Sequence, residues 1–258
     1  MSQEKFAYLS PTTFIKYLGC PEQVRLMKVE QVLPKSAYEQ TLPMAVGIAF
    51  DSMVKCELNK RFKLAELLED ITPQNRSAIQ VAEAIMQHYR MGPLEALKKE
   101  GIGYGGIDQE TELEFEGERS VCRGKPDLVL TDGTVIDWKV NGAFSSWGAE
   151  PRLGYIRCFE SGKDLGPHVD ADRFMEQIDR DWAIQLYLYG RILGHHPGKL
   201  LRAGIEQIAI TKDNIVRCAS FRAIISTDFQ LKIERLFHQA FKALSTGTTE
   251  APHYHEKK

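Results

Sequence analysis

No apolar run in the 258 residues approaches membrane-spanning length, and the opening Met-Ser-Gln-Glu-Lys begins no signal peptide. A cytoplasmic protein without a membrane partner is expected. Cysteine is sparse, at five residues (Cys20, Cys56, Cys122, Cys158 and Cys218), odd in number and with no Cys-x-x-Cys pair. That pattern favours reduced thiols over a disulfide framework or a zinc site. Charge of one sign is also lacking, the formal net charge being −2. A nucleic-acid binder is not advertised by this balance, nor is it excluded, because an acidic metal site can offset a basic rim. Gly101–Gly106 lacks a following Gly-Lys-Ser/Thr, so it is not a phosphate-binding loop, and it is expected to be flexible. Neither an internal repeat nor a low-complexity segment is present. What remains, 43% apolar and 26% charged, describes an ordinary globular protein, long enough for one α/β domain with additions or two small ones, and one α/β domain over residues 1–258 is expected.

The most informative stretch is Gly124–Val140. Its apolar and β-branched segments, Lys125–Leu130 and Thr134–Val140, flank an Asp-Gly turn and predict a hairpin. A three-residue loop with Gly133 left-handed pairs Val129 with Val135 and Asp127 with Asp137. One face then carries Leu128, Leu130, Ile136, Trp138 and Val140, and the other Asp127, Asp137 and Lys139. A two-residue loop would turn Asp127 into the core, an expensive place for a carboxylate. Converging carboxylates suit Mg²⁺, with the backbone carbonyl of Trp138 a further candidate ligand and Lys139 placed to orient water or stabilise charge on a phosphodiester. The plainer reading of the same face is an exposed salt bridge.

The rest of the chain frames this hairpin. Helices are expected from Ser10-Pro11 and again after Cys20-Pro21, within a helical N-terminal extension over 1–44 that ends in a loop at 31–44. A helix over 45–68 follows from the spacing of Val46, Phe50, Val54 and Leu58. On it Gly47 would allow close approach to a sheet, and Asp51 points either to that sheet's ligands or to solvent. Lys55, Lys60, Arg61 and Lys63 read as a solvated basic run. A helix from Thr72-Pro73 runs to Met91, and Glu112–Phe115 begins a strand expected to pair with the hairpin. Residues 142–173 form a long insertion in which Arg152, Tyr155 and Arg157 are interleaved with other basic and aromatic residues. It is either a single-stranded nucleic-acid path or a self-packed insertion. One helix is expected over 174–193, and Gln185 on it needs a partner, whether in the core, on a metal-bound water or on a phosphate. A strand hairpin over 204–222, a helix over 227–244 and a flexible tail at 246–258 complete the chain.

Leu9-Ser10-Pro11-Thr12 with Leu18-Gly19-Cys20-Pro21, Gly47-Ile-Ala-Phe-Asp51, Gly124-Lys-Pro-Asp127 with Ile136-Asp137-Trp138-Lys139, and Gln185-x-x-x-Tyr189 follow one another in that order. In this order they resemble the motifs of the RecB-type branch of the PD-(D/E)XK nuclease superfamily. The resemblance implies a restriction-endonuclease-like core, a mixed sheet flanked by helices. It implies Mg²⁺- or Mn²⁺-dependent hydrolysis of DNA, by an exonuclease of recombination, repair or phage DNA processing. The alternatives are a structure- or sequence-specific endonuclease on the same fold and an inactive DNA-binding module. Asp127, Asp137 and Asp51 would then bind metal, Asp51 standing where the family usually has a histidine. Lys139, Gln185 and Tyr189 would complete the catalytic set, while Arg152, Arg157 and Tyr155 would contact DNA. Iron–sulfur members pair the N-terminal cysteine with three more near the C-terminus. Nothing follows Cys218 here, so no cluster is expected. DNA is the expected partner, with a homo-oligomer or a recombination partner protein as a further possibility.

Overall fold

The computed structural model describes residues 6–32, 39–59, 61–104, 109–141, 156–166, 173–210 and 213–247. Two short helices open it, α1 (Pro11–Gly19) and α2 (Pro21–Lys28), each with proline in its first turn. Proline's missing N–H and fixed φ cost nothing at that position. Ser10 caps α1 by accepting from the Thr13 N–H at 3.2 Å. Helix α3 spans Leu42–Leu58 and is capped by Thr41. It begins earlier than its periodicity predicts, because Pro43 occupies the permissive first turn instead of a loop. It also ends about ten residues earlier than predicted. Asn59 is extended there, and its side chain accepts from the Arg61 N–H at 3.1 Å, a local bond that competes with the helix. The short helix α4 (Leu64–Leu67) then leads to α5 (Ser77–Met91) and α6 (Pro93–Glu100).

Nine strands follow among the described residues: β1 (Ile102–Tyr104), β2 (Gln109–Phe115), β3 (Glu118–Gly124), β4 (Leu128–Leu130), β5 (Val135–Asn141), β6 (Arg157–Glu160), β7 (Lys163–Asp164), β8 (Leu201–Ile210) and β9 (Val216–Ile225). Helices α7 (Met175–Ile178) and α8 (Arg180–Ile192) precede β8, and α9 (Thr227–Thr246) follows β9. Seven strands form a mixed sheet in the order β1-β4-β5-β8-β9-β6-β7, in which β5 and β8 are parallel. Parallel neighbours need a crossover, which here contains α7 and α8.

The hairpin register is the predicted one. Val129 pairs with Val135 and Leu128 with Ile136, and Gly133 takes φ +85°. Other expectations need correcting. The predicted helix over 174–193 is broken at Asp179, which is extended and caps α8 by accepting from the Trp182 N–H at 2.9 Å. Strand β2 pairs with β3 in a separate two-stranded sheet and not with the central hairpin. In the segment expected to be flexible, Ile102–Tyr104 form β1, which pairs with β4. Gly101 turns into that strand with φ +93°, a backbone conformation that glycine adopts without penalty. The insertion contributes β6 and β7 to the sheet edge. Helix α9 continues through Thr246 into a left-handed Gly247 cap, and residues 248–258 lie outside the described set.

The sheet is buried on both faces. On one, Val46, Phe50, Tyr89 and Leu94 of α3, α5 and α6 pack against Leu128, Ile136, Trp138 and Ile208. On the other, Phe14, Leu186 and Phe237 of α1, α8 and α9 pack against Val135, Ala203, Ile205 and Phe221. Alternation along β5 therefore sends Trp138 into the first core and Asp137 toward α8. The Trp138 indole is anchored by donating to the Tyr89 hydroxyl at 2.9 Å, which satisfies both polar tips inside the core. Those two layers fix β5 between α3 and α8.

Candidate active site

Asp137 is the most constrained carboxylate of the hairpin, at 3% exposure. Its Oδ2 lies 2.6 Å from Lys139 Nζ, and its Oδ1 accepts from Gln185 Nε2 at 3.1 Å. Gln185 joins the whole group. Its Oε1 accepts from Lys139 Nζ at 2.7 Å, and its Nε2 also donates to the Tyr189 hydroxyl at 3.0 Å. The amide that needed a partner thus has three, all residues named from the sequence. Spacing of i and i+4 on α8 puts Gln185 and Tyr189 on one face, turned to β5. Gly124 makes the approach of Tyr189 possible. A Cβ there would stand 3.1 Å from Tyr189 Cε1 and 3.0 Å from Ile192 Cδ1.

Asp127 sits just before β4, and its Oδ2 accepts from the Trp138 N–H at 3.1 Å. Its Oδ1 lies 3.4 Å from Lys55 Nζ, and the same ammonium pairs closely with Asp51 one turn earlier on α3. Lys55 is only 3% exposed. Its place in a solvated basic run is therefore a misreading: α3 turns it inward, and two carboxylates compensate its burial. The i, i+4 spacing from Asp51 to Lys55 was the available signal for that pairing.

The electrostatics follow from burial and crowding. Removal from water, then the neighbouring Asp127 charge, pushes the Asp137 carboxyl up to about 8, against the opposing pull of Lys139. The same two causes raise Asp51 to about 6, opposed by Lys55. Burial lowers the Lys55 ammonium, but Asp127 and Asp51 outweigh it and the net direction is upward. Tyr189 is raised, chiefly by burial and then by Asp137 and Asp127, and so remains a phenol.

A cleft of about 370 Å³ opens between the start of α3 and β5, lined by Pro43, Met44, Gly47, Asp51, Asp127, Trp138, Lys139 and Val140. Gly47 has a different role from the one expected. A Cβ there would meet nothing within 4 Å, so this glycine borders open space and is not needed for close helix–sheet packing.

Among the described residues no group of three His, Cys, Asp or Glu side chains converges as a ready-made metal site. The expected trio of Asp51, Asp127 and Asp137 is divided, because Lys55 stands between Asp51 and Asp127. A hard divalent cation still fits the donors present. Mg²⁺ needs only one or two carboxylates besides water and substrate oxygens. The Asp127 charge makes ionisation of Asp137 costly, a cost that a cation held between them would offset, and Asp51 Oδ1 is buried without a hydrogen-bond partner.

Of the three expected DNA contacts, Arg157 alone falls among the described residues, and it lies away from this group. Arg152 and Tyr155 lie outside the described residues. Arg157, on β6, is paired with Asp164 and lies over the Phe159 ring at 5.5 Å. Two strands, β8 and β9, separate β6 from β5, so Arg157 is roughly 14 Å to the side. Glu112 and Glu114 are exposed and paired with Arg119, away from any metal role. Cys20 is exposed at the α1–α2 break, while Cys122, Cys158 and Cys218 are buried free thiols. No described helix is long and apolar enough to cross a membrane.

No protein-family model and no curated protein matches this chain. Among solved structures, that of SSO0001 aligns over 93% of this chain and 86% of its own, at 13% identity and a TM-score of 0.33. That likeness is too slight to carry an argument about fold or activity.

Proposed function

We propose that the protein is a metal-dependent deoxyribonuclease of the PD-(D/E)XK type, hydrolysing DNA phosphodiester bonds as a RecB-like exonuclease. The observation that carries this reading is the junction of Asp137, Lys139, Gln185 and Tyr189 in one hydrogen-bonded group, with Asp127 beside it. A surface salt bridge would not need a half-buried glutamine and a buried tyrosine from a separate helix to complete it. The order of α3, the β4–β5 hairpin, α8 and the parallel strand β8 also suits a restriction-endonuclease-like core.

Asp127 and Asp137 would hold Mg²⁺ or Mn²⁺, which when bound would polarise water and neutralise phosphate charge. Lys139, fixed by Gln185 and Asp137, orients the attacking water and stabilises the negative charge that develops on phosphorus oxygens. Water oxygen bonds to phosphorus and one P–O ester bond breaks, leaving a phosphate monoester and a free sugar hydroxyl. Gln185 keeps Lys139 and Asp137 in register, and Tyr189 holds Gln185 from behind. Lys125, two residues before Asp127, is exposed, and its charge acts on Asp51, which suits guidance of a phosphate chain.

The test is incubation with linear and covalently closed circular DNA in Mg²⁺, in Mn²⁺ and in chelator. Degradation of linear DNA alone, abolished by chelator, supports the exonuclease. Cutting of the circle would replace it with an endonuclease. Survival of linear, circular, single-stranded and branched DNA alike would refute the enzyme and leave a DNA-binding module.

A further inference from the structure

Lys55 has no part in the reaction described above, yet it is among the most deeply buried charges of the site. Its ammonium contacts one oxygen of Asp51 and one of Asp127, so Asp127 is shared between Lys55 on one side and the Asp137 group on the other. A carboxylate shared between two cation positions is the arrangement that a pair of divalent ions requires, with the ions about 3.5–4 Å apart. Here one of the two positions is filled by the protein's own side chain. Charge counting points the same way. Three carboxylates and the two ammoniums of Lys55 and Lys139 leave one net negative charge when all are ionised, enough for one divalent ion and too little for two. Placing a second ion beside Lys55 would set a dication against a buried ammonium at short range.

We propose that Lys55 is a tethered counter-ion in the place of a second divalent cation. The site then holds one ion, on Asp127 and Asp137, and Asp51 serves as a positioning residue for Lys55. This rests on the metal-dependent reading above and deepens it. The geometry also contains the rival claim, because Asp51 Oδ1 is buried and unpartnered and would suit a ligand. The two accounts separate on a single substitution.

Mn²⁺ binding to the full chain, counted by calorimetry and by loss of the free-ion spin-resonance signal, supplies the test without reference to cleavage. One ion is expected for the wild type and one for Asp51→Asn. Two are expected for Lys55→Met, which keeps the length of the side chain and removes its charge. Two ions in the wild type, loss of the ion in Asp51→Asn, or one ion in a folded Lys55→Met would each overturn the proposal. Should Lys55→Met fail to fold, Asp51→Asn decides alone, since Asp51 is partly exposed and its amide replacement is close in size. No ion in the wild type would overturn the metal-dependent reading and this proposal together, whatever Lys55→Met binds.

Discussion

Replacing Asp137 with asparagine should make the protein more stable at neutral and alkaline pH, although it removes a charge partner of Lys139. In the folded state burial and Asp127 raise the Asp137 carboxyl from 3.8 to about 8. Unfolding returns it to an ordinary carboxylate value, so between roughly pH 4 and 8 the folded state binds the proton more tightly. Stability linked to this group is greatest in acid and declines as pH rises toward 8. That is the opposite of a salt-bridged carboxylate with a depressed value. At about 1.4 kcal/mol per pH unit the ceiling is about 6 kcal/mol. Partial hydration and local relaxation around the charged form should leave ~1–3 kcal/mol. For a chain of this size that corresponds to a rise of about 3–10 °C in Tm. Asparagine keeps an oxygen for Lys139 but carries no charge to desolvate. Urea melts of both proteins at pH 5 and pH 8, in chelator, measure the difference, and the gap should widen with pH. Millimolar Mg²⁺ should then stabilise the wild type and leave the variant unchanged, because ligand binding to the folded state alone adds stability. A variant no more stable than the wild type at pH 8, with the same response to Mg²⁺, would refute both the electrostatics and the metal assignment.

Three further outcomes follow from the packing. Gly124→Ala should displace Tyr189 and cost about 1–3 kcal/mol, since its Cβ would meet Tyr189 and Ile192 near 3 Å; chemical denaturation would read the loss. Glu234→Ala should cost about 3–5 kcal/mol, because Arg191 and the Tyr187 hydroxyl would lose a buried partner at 3.0 and 2.5 Å. Calorimetry showing less than about 1 kcal/mol would contradict that account of the α8–α9 contact. Gln185→Ala should lower any cleavage rate by about 10²-fold or more while leaving the fold intact, because Lys139 loses its fixed acceptor. Steady-state kinetics beside circular dichroism would check it.

The hairpin was legible because one register alone kept Asp127 out of the core and a glycine stood where the turn needs a positive φ. Gln185 was legible because a polar residue on an apolar helix must find a partner, and Tyr189 because it stands four residues on in the motif resemblance. Other features depended on long-range geometry. Lys55 resembled its solvated neighbours in sequence, apart from its i, i+4 spacing from Asp51, and the packing of α3 against the sheet turns it inward. The β2–β3 pair was misassigned because strand composition says nothing about which partner a strand takes. Asp179 breaks the predicted long helix because its side chain bonds the backbone more favourably as a cap than helix continuation would. Arg157 was read as a nucleic-acid contact from its basic and aromatic neighbours, and sheet order, which sequence does not display, places it on β6, three strands from β5.

The central claim is that Asp127, Asp137 and Lys139 form a hydrolytic centre. It is tested most directly by comparing wild type and Lys139→Ala on linear DNA with Mg²⁺ or Mn²⁺, each protein first shown to be folded. The account predicts chelator-sensitive cleavage by the wild type and a loss of about 10²-fold or more in the variant. Cleavage by Lys139→Ala at the wild-type rate would contradict it.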